Sequence, residues 1–358
     1  MDGDAPQSDS PRSTLADYGE RRLVAEVLRN RYDKSGQFGD DCAVLPGGPS
    51  AQYEIVATTD PCPEPLVASL GFRDLYYRGW LLATINFSDL AAAGAEPLGL
   101  LVSYLLPPDL TVDELRSLLD GVDECCIWHG SQVVGGNIGN SRSVQLTGTA
   151  IGRCQPGRRL SRRGAQQGDR MLLVGSPGYL WSAVLLCHGR AQLPDTEREE
   201  VLNRALRPVA QMAAGRALAE AGLAHAAVDV SDGLYASVEA LCVASHVGAV
   251  VEPDRCALEA LPSEICRQAG VEPFALAQLW GDWPLVVAVD PGKAAQAIDH
   301  LAGIGVSAQD IGYFVVGQKS YLRREDELHE WVGADAERFT DSSWDTSKLP
   351  GYLHRLLG

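Results

Sequence analysis

Short apolar strands alternate with helical stretches from Tyr53 to Gly152, stop at a basic, glycine-punctuated segment from Arg158 to Gly168, and start again at Arg170. This layout predicts two α/β or α+β domains joined by the basic segment. In the first half the apolar spacing predicts strands at Tyr53–Asp60, Leu98–Leu106, Gln132–Val134 and Val144–Gly152. Helices are predicted at Phe72–Gly94 and Thr111–His129, with Thr111 and Glu114 at capping-box spacing. An opening helix over Ala16–Arg31 carries Leu23, Val24, Val27 and Leu28 on one stripe. The second half predicts strands at Arg170–Val174, Ala249–Glu252 and Leu285–Val289, and a strand-to-turn segment at Val228–Leu234. Its helices are predicted at Tyr179–Gly189, Pro208–Ala221, Tyr235–Ser245 and Gly292–Ala302, and from Ser320 the chain reads as charged and irregular. The expected organisation is a leader at 1–15, domains at 16–153 and 154–320, and an extension at 321–358 that packs near the active site.

Composition removes several function classes. A length of 358 residues suits two cores of ordinary size. The net charge of −17 argues against general nucleic-acid binding, which requires a basic face. No run of about 18 uncharged apolar residues exists to span a membrane. The N-terminus MDGDAPQSDSPRST lacks a basic-then-apolar signal layout and reads as a disordered leader. Nine cysteines without CxxC spacing predict reduced, mostly buried thiols in a cytoplasmic protein, with no zinc site.

Chemistry concentrates where strands meet turns. Asp40 and Asp41 stand in GDD, Asp60 in TTD, Asp89 in NFSDL, Asn137 in GGN, and Asp232 in VSDGL. Carboxylates brought together repel one another and call for cations. Mg²⁺ takes oxygen ligands and shares its shell with substrate phosphates, so short acidic side chains on turns suit a metal–triphosphate site. Gly39, Gly135 and Gly136 allow close backbone approach to phosphate. An aspartate at a turn is commonplace, so no single motif decides the matter. No GxxxxGK[ST], HExxH or GxSxG occurs, and VGGNIG only approaches a dinucleotide fingerprint. His129, at a helix end, and His188, on an apolar helix, read as structural histidines.

The ordered set GDDCAVL, TTD, NFSDLAAAGAEP, VVGGN, RRLSRRGAQQGD, LRP and VDVSDGL resembles the thiamine-monophosphate kinase family in order and spacing, over roughly Gly19 to Gly317. That family is similar to aminoimidazole ribonucleotide synthetase, selenophosphate synthetase and the hydrogenase-maturation dehydratase. The resemblance implies an N-terminal domain that dimerises through its sheet, a C-terminal α+β domain, and ATP bound with several Mg²⁺ ions between them. It implies metal contacts at Asp40, Asp41, Thr59, Asp60, Asp89, Asn137 and Asp232. Nucleotide contacts are implied at Gly39, Asn86, Ser88, Gly135, Gly136, Arg158, Arg162, Ser231 and Gly233. The two arginines belong to a GRxLxRxGA segment whose guanidinium groups can clamp phosphate oxygens. No catalytic residue is assigned.

Departures from the family pattern fall into two groups. Asn137 stands where the family has a metal-binding aspartate, which lowers the charge of that position. Leu81 stands where a lysine is common, with Arg78 nearby. On the acceptor side, PCPEPL replaces a segment with a histidine–aromatic pair, LWGDWPL replaces GGEDYEL, and GYLH replaces a GFDHF-like segment. Glu64, Trp280, Asp282, Trp283 and Tyr352 are the corresponding candidates for acceptor contacts. This division predicts a Mg²⁺-dependent, ATP-using phosphotransferase acting on a small molecule other than thiamine phosphate, as a homodimer without nucleic-acid or membrane partners. The alternatives are an amide-activating ligase or cyclase, an authentic thiamine-monophosphate kinase, and a non-catalytic nucleotide-binding protein.

Overall fold

The computed structural model describes residues 22, 24–29, 40–45, 52–333 and 349–357. The expected leader 1–15, Gly39 and most of the opening helix lie outside the described residues. Within the span of that helix, Val24–Leu28 forms a π-helical turn with none of its residues buried.

In the first half, β1 (Ala43–Leu45) and β2 (Glu54–Cys62) precede a short α1 (Leu66–Ser69) and a long α2 (Leu75–Ala92). They are followed by β3 (Glu96–Leu106), α3 (Val112–Trp128), β4 (Val133–Asn140) and β5 (Gln145–Cys154). The five strands form one sheet in the order β1-β2-β5-β3-β4. Thr111 and Glu114 form the anticipated capping box at the start of α3. The anticipated strand at Gln132–Val134 instead runs on through the glycines to Asn140, pairing in parallel with β3.

The second half contains β6 (Arg170–Val174), α4 (Tyr179–Cys187), α5 (Asp195–Leu206), α6 (Met212–Ala221) and β7 (Ala226–Asp229). Then come α7 (Leu234–Ser245), β8 (Gly248–Val251), α8 (Ala260–Ala269), α9 (Pro273–Ala277), β9 (Leu285–Val289), α10 (Ala294–Ala302) and β10 (Ala308–Val315). The stretch expected to be irregular is a hairpin, β11 (Ser320–Arg324) with β12 (Glu327–Glu330), and α11 (Leu349–Leu357) follows. Its charged residues hid it: β12 is exposed at every position, so no apolar alternation marks it. The seven strands run β12-β11-β8-β10-β6-β9-β7.

Two cores result from the two-residue period of strands. On β6, Met171 and Leu173 join a cluster with α4, α5, α7 and α8, whereas Leu172 and Val174 face a second cluster. That second cluster includes Leu82, Phe87 and Leu90 of α2, so it unites the two domains. Helix α2 is buried on most sides, and its polar residues are hydrogen-bonded accordingly. Thr84 donates to Pro208 O at 2.9 Å, and Asn86 Nδ2 to Leu82 O at 2.9 Å. Among the described residues no helix is long and apolar enough to cross a membrane.

Candidate active site

The site lies where β1, β2 and α2 of the first domain meet the end of β7 in the second. A cavity of about 1130 Å³ opens there, lined by Asp40, Asp41, Asp60, Asp89, Asp229 and Asp232 among others. Carboxylate oxygens of Asp41, Asp89 and Asp229 lie within 4.8 Å of one another. Burial, followed by repulsion from neighbouring carboxylates, drives the Asp89 carboxyl well above its ordinary range. Burial and the Asp41 charge push Asp229 up to about 7, against the opposing effects of Ser88 and Arg162. Asp41 is also raised by burial, although Arg162 opposes the shift.

Arg162 is the internal counter-charge. Its Nε donates to Asp41 Oδ1 at 2.9 Å, and its Nη2 contacts the same oxygen. Asp41 Oδ2 is left buried without a hydrogen-bond partner among the described residues. Asp40 accepts from the Arg162 backbone N–H and from Arg159 Nη1, both at 2.9 Å. One guanidinium stands against three clustered carboxylates, so ionising all three is costly without a further cation, as their raised carboxyls show. The donor set contains only hard oxygen, and an orphaned oxygen is present. These residues therefore fit a hard divalent cation.

Several expected positions meet at this cavity. Asp40, Asp41, Asp60, Asp89 and Arg162 line it, as do Ser231 and Asp232 at the turn after β7. Glu64 is exposed and also lines it, and the buried Trp280 and Trp283 form part of its wall. Trp283 holds φ = 48°, a region sparsely used by bulky residues.

Other expected residues face different partners or stand away from the cavity wall. Thr59 lines the cavity as well, but its Oγ1 donates to Gly148 O at 2.8 Å and accepts from Thr149, so its hydroxyl is turned to β5. The alternation of β2 puts Thr58 and Asp60 on the other face, and Thr58 Oγ1 donates to Asp89 Oδ2. Asn86 and Ser88 are fully buried connectors. Asn86 Oδ1 accepts the Asp60 N–H at 3.2 Å, and Ser88 Oγ donates to Asp229 Oδ2 at 2.8 Å. Arg158 is exposed and absent from the cavity wall, whereas its neighbour Arg159 reaches Asp40. Gly233 caps the start of α7 and is also absent from the wall.

Gly135, Gly136 and Asn137 lie on β4, the exposed far edge of the first sheet, and do not line the cavity. A Cβ at Gly136 would stand 1.9 Å from Val102 O, so close approach to β3 accounts for that glycine. Asp282 is occupied elsewhere: its two oxygens accept from Gly178 N at 2.7 Å and Leu180 N at 2.9 Å, capping α4. Tyr352 of α11 packs its ring on Trp181 and Trp280, with centroids 5.8 and 6.4 Å away.

The residue most clearly missed is Asp229. VDVSDGL contains two aspartates, and the first, at the carboxyl end of its strand, joins the cluster. The position at a strand's carboxyl end was the available signal. His188 Nδ1 lies 2.9 Å from Val184 O, in keeping with a structural role. His129 packs on Phe87 with its Nε2 buried and without a partner among the described residues, so it is structural without being satisfied.

The AIR synthase related protein N-terminal domain matches residues 39–154, and the corresponding C-terminal domain matches residues 166–325. The thiamine-monophosphate kinase of Synechococcus elongatus is 30% identical over 87% of this chain and 94% of its own length. That of Escherichia coli K12 is 32% identical over 71% of this chain and 76% of its own. The structure of AaThiL complexed with AMPPCP and TMP superposes with a TM-score of 0.75, covering 90% of this chain and all of that one at 23% identity, a likeness of fold. The two-domain architecture, the acidic interdomain cavity and these relatives agree: the chain belongs to the thiamine-monophosphate kinase family of AIR synthase related proteins, and is an enzyme of the phosphotransferase class.

Proposed function

We propose that the chain transfers the γ-phosphoryl group of ATP to a phosphate monoester, with thiamine monophosphate as the acceptor, in a Mg²⁺-dependent reaction. The observation that carries this reading is the trio Asp41, Asp89 and Asp229, two buried and Asp89 half-buried, with its orphaned oxygen, lining an interdomain cavity. The relatives named as thiamine-monophosphate kinases, and the AMPPCP and TMP of the superposed complex, support the choice of substrates.

Asp41, Asp89 and Asp229 would hold Mg²⁺, with Asp40, Asp60 and Asp232 at hand. When bound, Mg²⁺ supplies charge neutralisation for the polyphosphate. Arg162, already paired with Asp41, and Arg163 line the cavity and would supply positive charge near phosphate oxygens. An oxygen of the acceptor phosphate attacks the γ-phosphorus, the bond to the β–γ bridging oxygen breaks, and ADP departs with that electron pair. A phosphate monoester has a second pKa near about 6, so its nucleophilic oxygen is ionised at neutral pH. This chemistry needs no general base. Trp280, Trp283 and Leu180 offer an apolar wall for the heterocycle.

The sequence pattern favours a different acceptor, but one of its departures has a structural explanation. The altered LWGDWPL loop keeps the aspartate that caps α4, so the change there does not require a new ligand. The Pro61–Leu66 segment still favours the second reading, because Glu64 places a carboxylate at the cavity where the family pattern has a histidine–aromatic pair. Incubation of purified protein with ATP, Mg²⁺ and thiamine monophosphate tests the choice. Thiamine diphosphate is the expected product. ATP turnover with other phosphate monoesters and none with thiamine monophosphate would move the reading to the second acceptor. Phosphate release coupled to C–N bond formation would indicate the ligase.

We also infer a homodimer through the first domain, supported by the exposed Leu98, Leu101, Val134 and Ile138 on β3 and β4. Sedimentation of the wild type and of an Ile138→Lys variant tests it, with a monomer expected for the variant. All nine cysteines are free, which supports a reducing, cytoplasmic location.

A further inference from the structure

Each clustered carboxylate has one oxygen taken by a fixed donor: Asp41 by Arg162, Asp89 by Thr58, and Asp229 by Ser88. The third pair differs from the others. Ser88 and Asp229 are 141 positions apart, one on α2 of the first domain and the other at the end of β7 in the second. Both are buried, with Ser88 wholly so, and the Oγ–Oδ2 distance is 2.8 Å. Ser88 is also the chain neighbour of Asp89, so one turn of α2 supplies one member of the cluster and holds another.

Helix α2 and β7 share the second cluster, which fixes how the two elements pack, but the turn of the Asp229 side chain at the strand's end must be set by a donor. Hydrogen-bonded partners behind a ligand commonly set its orientation and contribute about 10–100-fold to metal affinity.

We propose that Ser88 is a positioning residue of the cation site, holding one oxygen of Asp229 so that the other is offered to the ion and the second domain is tied to the site. This inference rests on the reading of the carboxylate trio as a divalent-cation site. It adds to that reading an interdomain bond on which cation affinity depends.

Mn²⁺ uptake by the full chain, followed without nucleotide by the signal of free Mn²⁺ in electron paramagnetic resonance, separates the two claims. Ser88→Ala is expected to bind Mn²⁺ about 10-fold more weakly than the wild type. Asp229→Asn is expected to bind weakly as well, and the double variant no more weakly than Asp229→Asn alone, because Ser88 acts through that carboxylate. Ser88→Cys keeps the volume but donates weakly, and reads the same loss if the alanine variant does not fold. Unchanged Mn²⁺ affinity in Ser88→Ala, or losses that add in the double variant, would overturn the positioning role while leaving the cation site standing. A wild type that takes up no Mn²⁺ would overturn both.

Discussion

Arg162 grips Asp41 through a single carboxylate oxygen and leaves the other buried without a partner. The Asp41 side chain is 2% exposed and that of Arg162 30% exposed, so this pair is largely shielded from solvent. Removing one partner of such a pair strands the other charge. Arg162→Ala is expected to lower the metal-free stability by about 3 kcal/mol. Adding Asp41→Asn should recover much of that loss, since no charge is then stranded. Urea unfolding in the presence of a chelator checks both statements, and additive losses would argue that the two residues act independently.

Asp89 should show the opposite sign. It belongs to a trio whose members repel one another in a buried place, which is why its carboxyl is raised by burial and then by Asp229, Asp60 and Asp41. Asp89→Asn removes one source of repulsion while its amide oxygen can still accept from Thr58. The metal-free protein is expected to gain stability. The same variant should lose the upward shift in Tm that Mg²⁺ gives the wild type. Thermal unfolding with and without Mg²⁺ reads both effects, and a variant destabilised in the chelator would contradict the account of repulsion.

The elements that were legible in the sequence are those whose burial is local. Arg170–Val174 and Leu285–Val289 are apolar runs buried in the second sheet, and their bounds agree with expectation. Thr111 and Glu114 need only each other, so their capping box could be read from spacing. The site was legible as a set of acidic turns but not in its detail. Asp229 and Asp232 share one motif, and which of them meets Asp89 depends on how β7 lies against α2. Thr58 could have been chosen over Thr59 by the two-residue period, given that Asp60 lies at the cavity. Asp282 could not have been read as a helix cap, because its partners Gly178 and Leu180 are about a hundred positions away. Asn137 read as a turn residue beside glycines, whereas those glycines continue a strand.

The capping role of Asp282 separates stability from acceptor binding. Its oxygens accept two backbone N–H groups at the start of α4 that have no helical partner of their own. Asp282→Ala is expected to cost about 1–2 kcal/mol in denaturant unfolding. Asp282→Asn, which keeps one acceptor oxygen, should cost less. Acceptor KM in the asparagine variant should stay within about twofold of wild type. A large rise in KM with unchanged stability would restore Asp282 to the acceptor site.

His129 makes the fold sensitive to acid. Burial pulls its imidazole down to about 4, and its Nε2 has no partner among the described residues. In the unfolded chain the group returns to about 6.5. Between the two values the unfolded chain binds more protons, so this contribution is present in full above pH 6.5 and is lost as pH falls towards 4. The resulting slope is at most about 1.4 kcal/mol per pH unit. His129→Gln should flatten the difference between unfolding free energies measured at pH 6.5 and pH 5. An unchanged slope would assign the acid sensitivity elsewhere.

Gly215 sets how closely the two halves of the site approach. It lies on α6, and a Cβ there would stand 1.9 Å from the carbonyl oxygen of Ala91 on α2, two residues beyond Asp89. On helix propensity alone, Gly215→Ala would stabilise α6 by about 1 kcal/mol. The obstacle is a backbone carbonyl already committed to α2, which cannot rotate aside as a side chain would. Overpacking of this kind typically costs about 1–3 kcal/mol, and relief requires α6 to move away from α2. Such a movement would also shift the domain that carries Asp229 relative to the helix that carries Asp89. Gly215→Ala is therefore expected to lower stability in denaturant and to weaken Mn²⁺ uptake together, although residue 215 touches neither carboxylate. If the variant gains stability and binds Mn²⁺ as the wild type does, the helices are not held at the separation that brings the carboxylates together.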